Sequence, residues 1–184
     1  MTALACCCFA AALCVAAAPL TSPAQERVDM HVRRVHSETF RNASGSLRYP
    51  YLVPAGPYDQ MWDWDSLFMG VALLEYGSGR YFAGTFANFL DHTNVTDGQV
   101  QGCLLPSGAT GTIFHAKPVV IQGAWLAAPA DPSVDFKQFA LKMKALLNYW
   151  RSDARTDRVS GLPKWYNQLE SGQDNLVLST CASA

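Results

Sequence analysis

The spacing of apolar residues along this chain predicts helices joined by long polar loops. One apolar run follows the helical period at Trp64, Leu67, Phe68, Val71 and Leu74. Asp65 or Ser66 can cap the start of this helix, which extends to about Tyr76, and Gly77 can end it. The sequence therefore predicts a helix that begins inside a stretch rich in tryptophan and aspartate.

Four further segments are predicted to be helices. Residues 25–39 are polar with valines on one side, which is typical of a short amphipathic helix. Residues 80–92 carry an apolar stripe of phenylalanines, and residues 119–128 are apolar nearly all round and therefore predicted to be buried. The clearest helix spans residues 134–153, with an apolar stripe at Phe136, Phe139, Ala140, Met143, Leu146, Leu147 and Trp150.

None of the segments alternates polar and apolar residues convincingly, so the fold class predicted from the pattern is all-α. Helices of similar length separated by loops indicate an architecture of helical hairpins. The predicted organisation is a signal segment at residues 1–24, a polar helix and loop at residues 25–48, and a helical domain at residues 49–184.

The N-terminal segment has the composition of a signal peptide, with an uncleaved anchor as the alternative. Residues 4–18 are uncharged and apolar but short for a membrane span. Four of the six cysteines lie in this segment, and Cys103 and Cys181 are left as a pair that could form a disulfide. Glycosylation sequons at Asn42 and Asn94 agree with secretory passage. The location predicted is secreted or lumenal in the secretory pathway.

Composition and charge narrow the function classes. Hydrophobic residues make up 49% of the 184 residues, charged residues 16%, and the net charge is -1, which fits a globular domain rather than a disordered chain. Nothing in this balance points to nucleic acid or to a membrane surface beyond the signal segment. His92 and His115 lack zinc-ligand spacing, and phosphate-loop and dinucleotide motifs are absent, so no metal and no cofactor is predicted.

The stretch from Tyr58 to Leu74 carries the strongest chemical signal. Trp62 and Trp64 alternate with Asp63 and Asp65 where a loop enters a helix. Indole rings stack on the apolar C–H face of a sugar and carboxylates accept its hydroxyl hydrogen bonds, so the pattern favours a carbohydrate site. The alternative is that the tryptophans are core residues and the acids are caps.

A second polar cluster follows from Leu169 to Asn175. Glu170 and Asp174 lie four residues apart, on either side of Ser171-Gly172, which favours a turn. A carboxyl group held in a cleft beside aromatic rings can act as a general acid because its pKa is raised. The alternative is an ordinary acidic turn with an aspartate cap.

Taken together, these motifs resemble the catalytic domain of glycoside hydrolase family 63, including mannosylglycerate hydrolases and, more distantly, trehalases. The resemblance spans residues 49–175 and rests on Trp64-Asp65-Ser66 with Tyr58 and Trp62 upstream, Lys117-Pro118, Gly161-Leu162-Pro163, and Glu170-Ser171-Gly172 with Asp174-Asn175. It implies an (α/α)6 toroid of paired helices and hydrolysis of α-glycosidic bonds, of glucosides or mannosides, with inversion.

The resemblance also implies roles for particular residues. Asp174 matches the general acid, and Glu170 looks like a residue that fixes the loop. The chain reads Lys117-Pro118-Val119 where the family often has Gln-Pro-Pro. It has Leu169 where the family usually has tryptophan. The implied substrate-binding residues are Tyr58, Trp62, Trp64, Asp65, Lys117 and Gly172.

The family's second carboxylate, the base that activates water, lies far downstream of the acid, whereas this sequence runs ten residues past Asp174. Four good helices and a doubtful one are predicted, against twelve in a closed toroid of this kind. The chain is therefore predicted to be the N-terminal part of a glycosidase domain, an incomplete toroid. Phe82, Phe86 and residues 119–125 are then expected to be partly exposed, with an unstable or aggregation-prone product.

Two readings of function besides an α-glycosidase stay open. One is a non-catalytic carbohydrate-binding remnant of such a hydrolase. The other is an ordinary helical domain whose aromatic residues form the core. The sugar and the oligomeric state are not predicted.

Overall fold

Five α-helices provide most of the regular structure in the described residues of the computed structural model, which are 22–108, 114–166 and Glu170. About half of these described residues are helical, as expected for a mostly helical partial domain. The helices are α1 (Pro23–Thr39), α2 (Asp63–Ala72), α3 (Gly79–His92), α4 (Val119–Ala127) and α5 (Ala140–Trp150). Short 3-10 helices lie at Leu74–Tyr76, Phe136–Phe139 and Asp153–Arg155.

Four short strands correct the all-α prediction. Strand β1 (Phe40–Arg41) pairs with β2 (Tyr51–Leu52), and β3 (Met61–Trp62) pairs with β4 (Cys103–Leu104), both antiparallel. Each strand is two residues long, so no alternation could be read from the sequence. The second pair matters for the site because it fixes Trp62 opposite Cys103.

The chain divides into two units, Met1–Arg34 and Val35–Ala184. In the first unit the described residues belong to α1 and are mostly exposed, which confirms the predicted polar helix. The second unit contains the hydrophobic core and the other helices.

Helix α3 is the centre of the core in the second unit. Phe82, Phe86, Phe89 and Leu90 are fully buried, which corrects the prediction that Phe82 and Phe86 would be partly exposed. Helices α2 and α4 approach α3 closely because they present glycines to it. A Cβ at Gly70 would lie 1.9 Å from the Phe82 ring, and one at Gly123 would lie 2.2 Å from the Phe86 ring.

Two polar residues of α3 bind the segment before the site. Asn88 accepts a hydrogen bond from the Tyr49 N–H (3.1 Å) and donates to the Tyr49 carbonyl (2.9 Å). Thr85 accepts from the N–H of Leu52 at 2.8 Å. These bonds satisfy buried backbone groups that the short strands leave unpaired.

Helix α2 begins three to four residues earlier than predicted. Asp63 is its first residue, and Trp62 at the cap position makes no side-chain capping bond, so the predicted cap at Asp65 or Ser66 is wrong. The helix also ends early, at Ala72, and Gly77, with φ 81°, ends the 3-10 helix that follows it. The buried face of α2 is formed by Asp63, Ser66, Leu67 and Gly70, whereas Phe68 and Val71 are exposed.

Helices α4 and α5 also differ from the sequence pattern. Trp125 on α4 is 76% exposed, which corrects the burial predicted from the apolar pattern and agrees with the expectation that residues 119–125 are partly exposed. The helix predicted over residues 134–153 divides into the 3-10 helix Phe136–Phe139 and α5. On α5, Leu146 and Trp150 are buried, and the Trp150 indole N–H donates to the Ala116 carbonyl at 2.9 Å.

Across the described residues, no helix combines the length and the hydropathy that a membrane crossing requires.

Candidate functional site

A buried ion pair joins the start of α2 to the segment before α4. The Lys117 ammonium lies 3.3 Å and 3.4 Å from the two carboxylate oxygens of Asp63. The Lys117 backbone N–H donates to Asp63 at 2.7 Å, and the Trp64 N–H donates to it at 2.8 Å. Asp63 is fully buried and Lys117 nearly so. The carboxylate therefore ties the two helix entrances together.

Burial has the largest effect on the pKa of Asp63 in this pair. Loss of solvation raises the pKa of Asp63, while Lys117 and the two backbone N–H groups act in the opposite direction and leave a net rise. Both oxygens of this carboxylate already accept hydrogen bonds from the protein. Asp63 therefore acts as a support for Lys117 and Trp64.

Aromatic rings surround the ammonium group. Lys117 Nζ lies 5.5 Å from the centroid of the Trp64 ring and 5.4 Å from that of Phe114, which is cation–π distance. Trp62 stacks on Phe114 with centroids 5.9 Å apart. We call Trp62, Asp63, Trp64, Phe114 and Lys117 the indole cluster.

Unsatisfied buried polar atoms concentrate on the two segments that build this cluster. Within the described ranges, four buried side-chain atoms lack a hydrogen-bond partner: Gln60 Oε1, Trp62 Nε1, Ser66 Oγ and His115 Nδ1. All lie in residues 60–66 or 114–117. Buried polar atoms are nearly always paired, so such a group indicates hydrogen bonds completed by water or by a ligand. Donors and acceptors occur together here, as recognition of hydroxyl groups requires.

A second buried ion pair lies on the other side of segment 114–117. Arg155 contacts Glu170 through two hydrogen bonds of 2.5 Å and 2.7 Å, and both residues are fully buried. Glu170 also accepts from the N–H groups of His115 (3.2 Å) and Tyr166 (2.7 Å). One carboxylate therefore connects three separate parts of the chain.

Hydrogen bonding outweighs desolvation at this pair. Burial acts to raise the pKa of Glu170, but the bonds from Arg155, Tyr166 and His115 lower it more, so the pKa lies below its usual value. Desolvation acts to lower the pKa of Arg155, while its bonds to Glu170 and Tyr149 leave it raised. Both groups are therefore charged at neutral pH.

The predicted site residues are only partly brought together. Trp62, Trp64 and Lys117 meet in the indole cluster, with Asp65 half-buried on the same first turn of α2. Tyr58 is 46% exposed in the loop before β3. Gly172 and Asp174 lie outside the described residues, as do Cys181 and residues 1–21.

Several residues of the site were not predicted from the sequence. Asp63 was visible only as one of two alternating acids, and nothing in the pattern distinguished it from Asp65. Phe114 lies in a loop and Arg155 at the end of a short 3-10 helix, neither within a motif, so their contacts depend on the fold. No group of three or more residues suited to hold a metal ion occurs among the residues with described positions.

Comparison with known proteins finds two relatives. The cytosolic neutral trehalase of Saccharomyces cerevisiae is 23% identical over 141 residues, which cover 70% of this chain and 18% of the yeast protein. A probable trehalase of Eremothecium gossypii is 22% identical over 136 residues, with coverage of 69% and 18%. The matched region thus spans less than a fifth of either relative. No protein-family model and no solved structure matches the chain.

The similarity is weak, distant and to trehalases, which are six-hairpin glycosidases. It supports a glycoside hydrolase-like function at that coarse level. The predicted secreted or lumenal location is contradicted, because the yeast relative is a cytosolic enzyme by name. Sequons and an apolar leader-like run were therefore poor guides to location.

Proposed function

We propose that this chain contributes to hydrolysis of an α-glycosidic bond, with the sugar bound at the indole cluster. The similarity to trehalases supports an α-linked glucoside as the substrate class and trehalose as the first compound to test. Mannosides, which the family resemblance also implies, are the competing class. The proposed binding residues are Tyr58, Trp62, Trp64, Asp65, Lys117 and Gly172, and the proposed general acid is Asp174.

The observation that carries this proposal is the set of unpartnered buried polar atoms around the indole cluster. Trp62 Nε1 can donate, Gln60 Oε1 can accept, and Ser66 Oγ can do both. The partly buried Trp64 ring, with the Lys117 ammonium near its face, supplies a flat apolar surface in the same segment of the chain. A sugar ring has the matching chemistry, with hydroxyl groups at its edge and C–H groups on its face.

Chain geometry supports Asp174 as a group that can reach this cluster. Glu170 is bonded to the His115 backbone, two residues from Lys117. Asp174 is four residues beyond Glu170, and four extended residues span at most about 14 Å. The proposal requires that Asp174, within this distance of Glu170, reach a sugar at the cluster.

In the proposed reaction Asp174 gives its proton to the glycosidic oxygen as the bond from that oxygen to the anomeric carbon breaks. A water molecule attacks the opposite face of the anomeric carbon and loses its proton to a second carboxylate. The product then has inverted configuration, and the two carboxyl groups stand roughly 6.5–9.5 Å apart. We assign no residue to the base.

Sugar binding without turnover is the second candidate function, and one observation favours it. The indole cluster supplies stacking and hydrogen bonding from residues 60–66 and 114–117 alone. Such binding needs neither Asp174 nor a base.

Hydrolysis and binding assays on the same samples separate the two functions. Turnover of trehalose and of a panel of α-glucosides and α-mannosides would be measured for the chain and for Asp174→Asn, with Asp157→Asn as a control at an exposed carboxylate. Turnover lost only in Asp174→Asn supports hydrolysis.

Binding would be followed by tryptophan fluorescence. Trp64→Phe should remove the sugar-dependent change, whereas Trp125→Phe, at a ring 76% exposed on α4, should keep it. Binding without turnover supports the second function. Neither turnover nor a fluorescence change would refute both.

A further inference from the structure

A cavity lies beside α5, away from the indole cluster. Its volume is about 600 Å³, within the range of small-molecule sites. Its walls include the loop after α3, one face of α5 and the segment that ends at Tyr166. None of the five residues of the indole cluster lines it. We call this cavity the α5 groove and define it by Thr96, Gln99, His115, Asn148, Tyr149 and Tyr166.

The α5 groove combines aromatic rings with uncharged polar groups. Tyr149 and Tyr166 provide ring surface, and the Tyr166 side chain is 56% exposed. Asn148, Gln99 and Thr96 provide amide and hydroxyl groups. Its two charged lining residues, Asp97 and Lys144, have opposite sign, so the lining carries no net charge when His115 is neutral.

His115 is held as a neutral group at this wall. Its ring packs edge-on against Tyr149 with centroids 4.9 Å apart. Burial lowers the pKa of His115, and the nearby Arg155 lowers it further. Its buried Nδ1 has no hydrogen-bond partner among the described residues.

We propose that the α5 groove is a second carbohydrate site, which binds an uncharged polyhydroxylated ring independently of the indole cluster. Amides and hydroxyls match the edge of such a ring, and the tyrosines match its face. The balanced charges argue against an anionic ligand, and the polar lining argues against a purely apolar one.

A smaller cavity adjoins the groove. It has a volume of about 230 Å³ and shares Gln99 and His115 with the larger one. A disaccharide, which has one ring to place in each cavity, is therefore the probe chosen. This proposal does not rest on the proposed hydrolysis, since it uses none of the residues assigned to that reaction.

The test is a titration of the isotope-labelled full chain with trehalose and with maltose, followed by amide chemical shifts. We expect saturable shifts at Thr96, Gln99 and Asn148. Asn148→Leu should weaken this binding roughly three- to tenfold, the effect of one lost hydrogen bond. Gln122→Leu, which removes an exposed amide from α4, should change it less than twofold.

A charge variant and a second probe complete the test. Inorganic phosphate should produce no saturable shifts at these amides, either in the unchanged chain or in Lys144→Gln. The proposal is overturned if sugar shifts only amides of the indole cluster, if Asn148→Leu binds as tightly as the unchanged chain, or if phosphate binds the groove in a Lys144-dependent manner. In a Trp64→Phe variant, sugar should still shift the amides of Thr96, Gln99 and Asn148, because the groove binds independently of the indole cluster.

Discussion

Two buried carboxylates, Asp63 and Glu170, organise the described site at the level of single residues. Asp63 binds the backbone and side chain of Lys117, and Glu170 binds the backbone of His115. Segment 114–117 is thus fixed from both sides by an ion pair. Buried ion pairs contribute little net stability against apolar replacements, but removing one partner is strongly destabilising because the other charge is left uncompensated.

The Glu170→Gln substitution tests how strongly the loss of one partner destabilises the Arg155–Glu170 ion pair. It leaves the fully buried Arg155 without its counter-charge, so we expect the free energy of unfolding to fall by about 3–5 kcal/mol. Urea unfolding measures the change. Asp91→Asn is the matched control, because Asp91 pairs with the exposed Arg48 and should contribute at most about 1 kcal/mol. Equal losses in the two variants would contradict the assigned role.

The two carboxylates should give opposite pH dependence. The folded-state pKa of Glu170 is lowered, so its contribution is present above its unfolded pKa of about 4.3 and is lost as the pH falls through the folded value. The pKa of Asp63 is raised, so its contribution is present below about 3.9 and is lost as the pH rises through the folded value.

Unfolding free energies between about pH 3 and 7 check these signs. The difference between the unchanged chain and Glu170→Gln should grow with pH, and the difference from Asp63→Asn should shrink. Neither slope should exceed about 1.4 kcal/mol per pH unit, the limit for one proton. Differences of the same sign for both variants would show that one pKa shift has been assigned wrongly.

At the scale of elements, glycines set how closely the helices and the loop before β2 approach α3. A Cβ at Gly84 on α3 would lie 2.0 Å from the Pro50 carbonyl oxygen, which belongs to backbone and cannot rotate away. The same contact region includes the bonds of Asn88 to Tyr49. Close approach here therefore supports the loop that leads to Tyr58.

Gly84→Ala should accordingly destabilise the protein. Alanine is favoured over glycine in a helix interior by about 1 kcal/mol, but the clash should exceed that gain and leave a net loss of about 1–3 kcal/mol. Thermal or urea unfolding measures it. Arg80→Ala, at an exposed position of the same helix, should change stability by less than about 0.5 kcal/mol. A stabilised Gly84→Ala variant would mean that the loop is not packed against α3.

At the scale of the whole molecule, large apolar side chains of α2 and α4 face solvent. Phe68 is 65% exposed, Val71 48% and Trp125 76%. Exposed apolar surface of this kind promotes association in solution. The predicted tendency to aggregate therefore stays a prediction, now assigned to these residues rather than to the buried Phe82 and Phe86.

Sedimentation velocity over a range of concentrations tests the association. We expect the sedimentation coefficient of the unchanged chain to rise with concentration, and a Phe68→Lys, Trp125→Lys double variant to stay monomeric. Because both side chains are exposed, the double substitution should leave the melting temperature within a few degrees. Concentration-independent sedimentation of the unchanged chain would contradict this prediction.

Sequence reasoning predicted the helices well because their patterns repeat over several turns. The polar helix before residue 39 and the helix from residue 80 to 92 were both predicted from spacing, whereas α2 ends at Ala72, before the predicted end at Gly77. It failed on the strands, which are two residues long, and on the face of α2 that is buried. Period alone assigned the apolar residues of α2 to the core, whereas the ion pair of Asp63 decides which side faces inward.

The sequence by itself determined which residue types lie at the N-terminus of α2, since alternating indoles and acids are a local pattern. That pattern made sugar binding the leading hypothesis. Only the tertiary structure decided that Lys117 lies over Trp64, that Phe114 stacks on Trp62, and that Arg155 holds Glu170. These partners are separated from one another by 15 to 53 residues along the chain. Contacts at such separations depend on how the helices pack, and packing leaves no local period in the sequence.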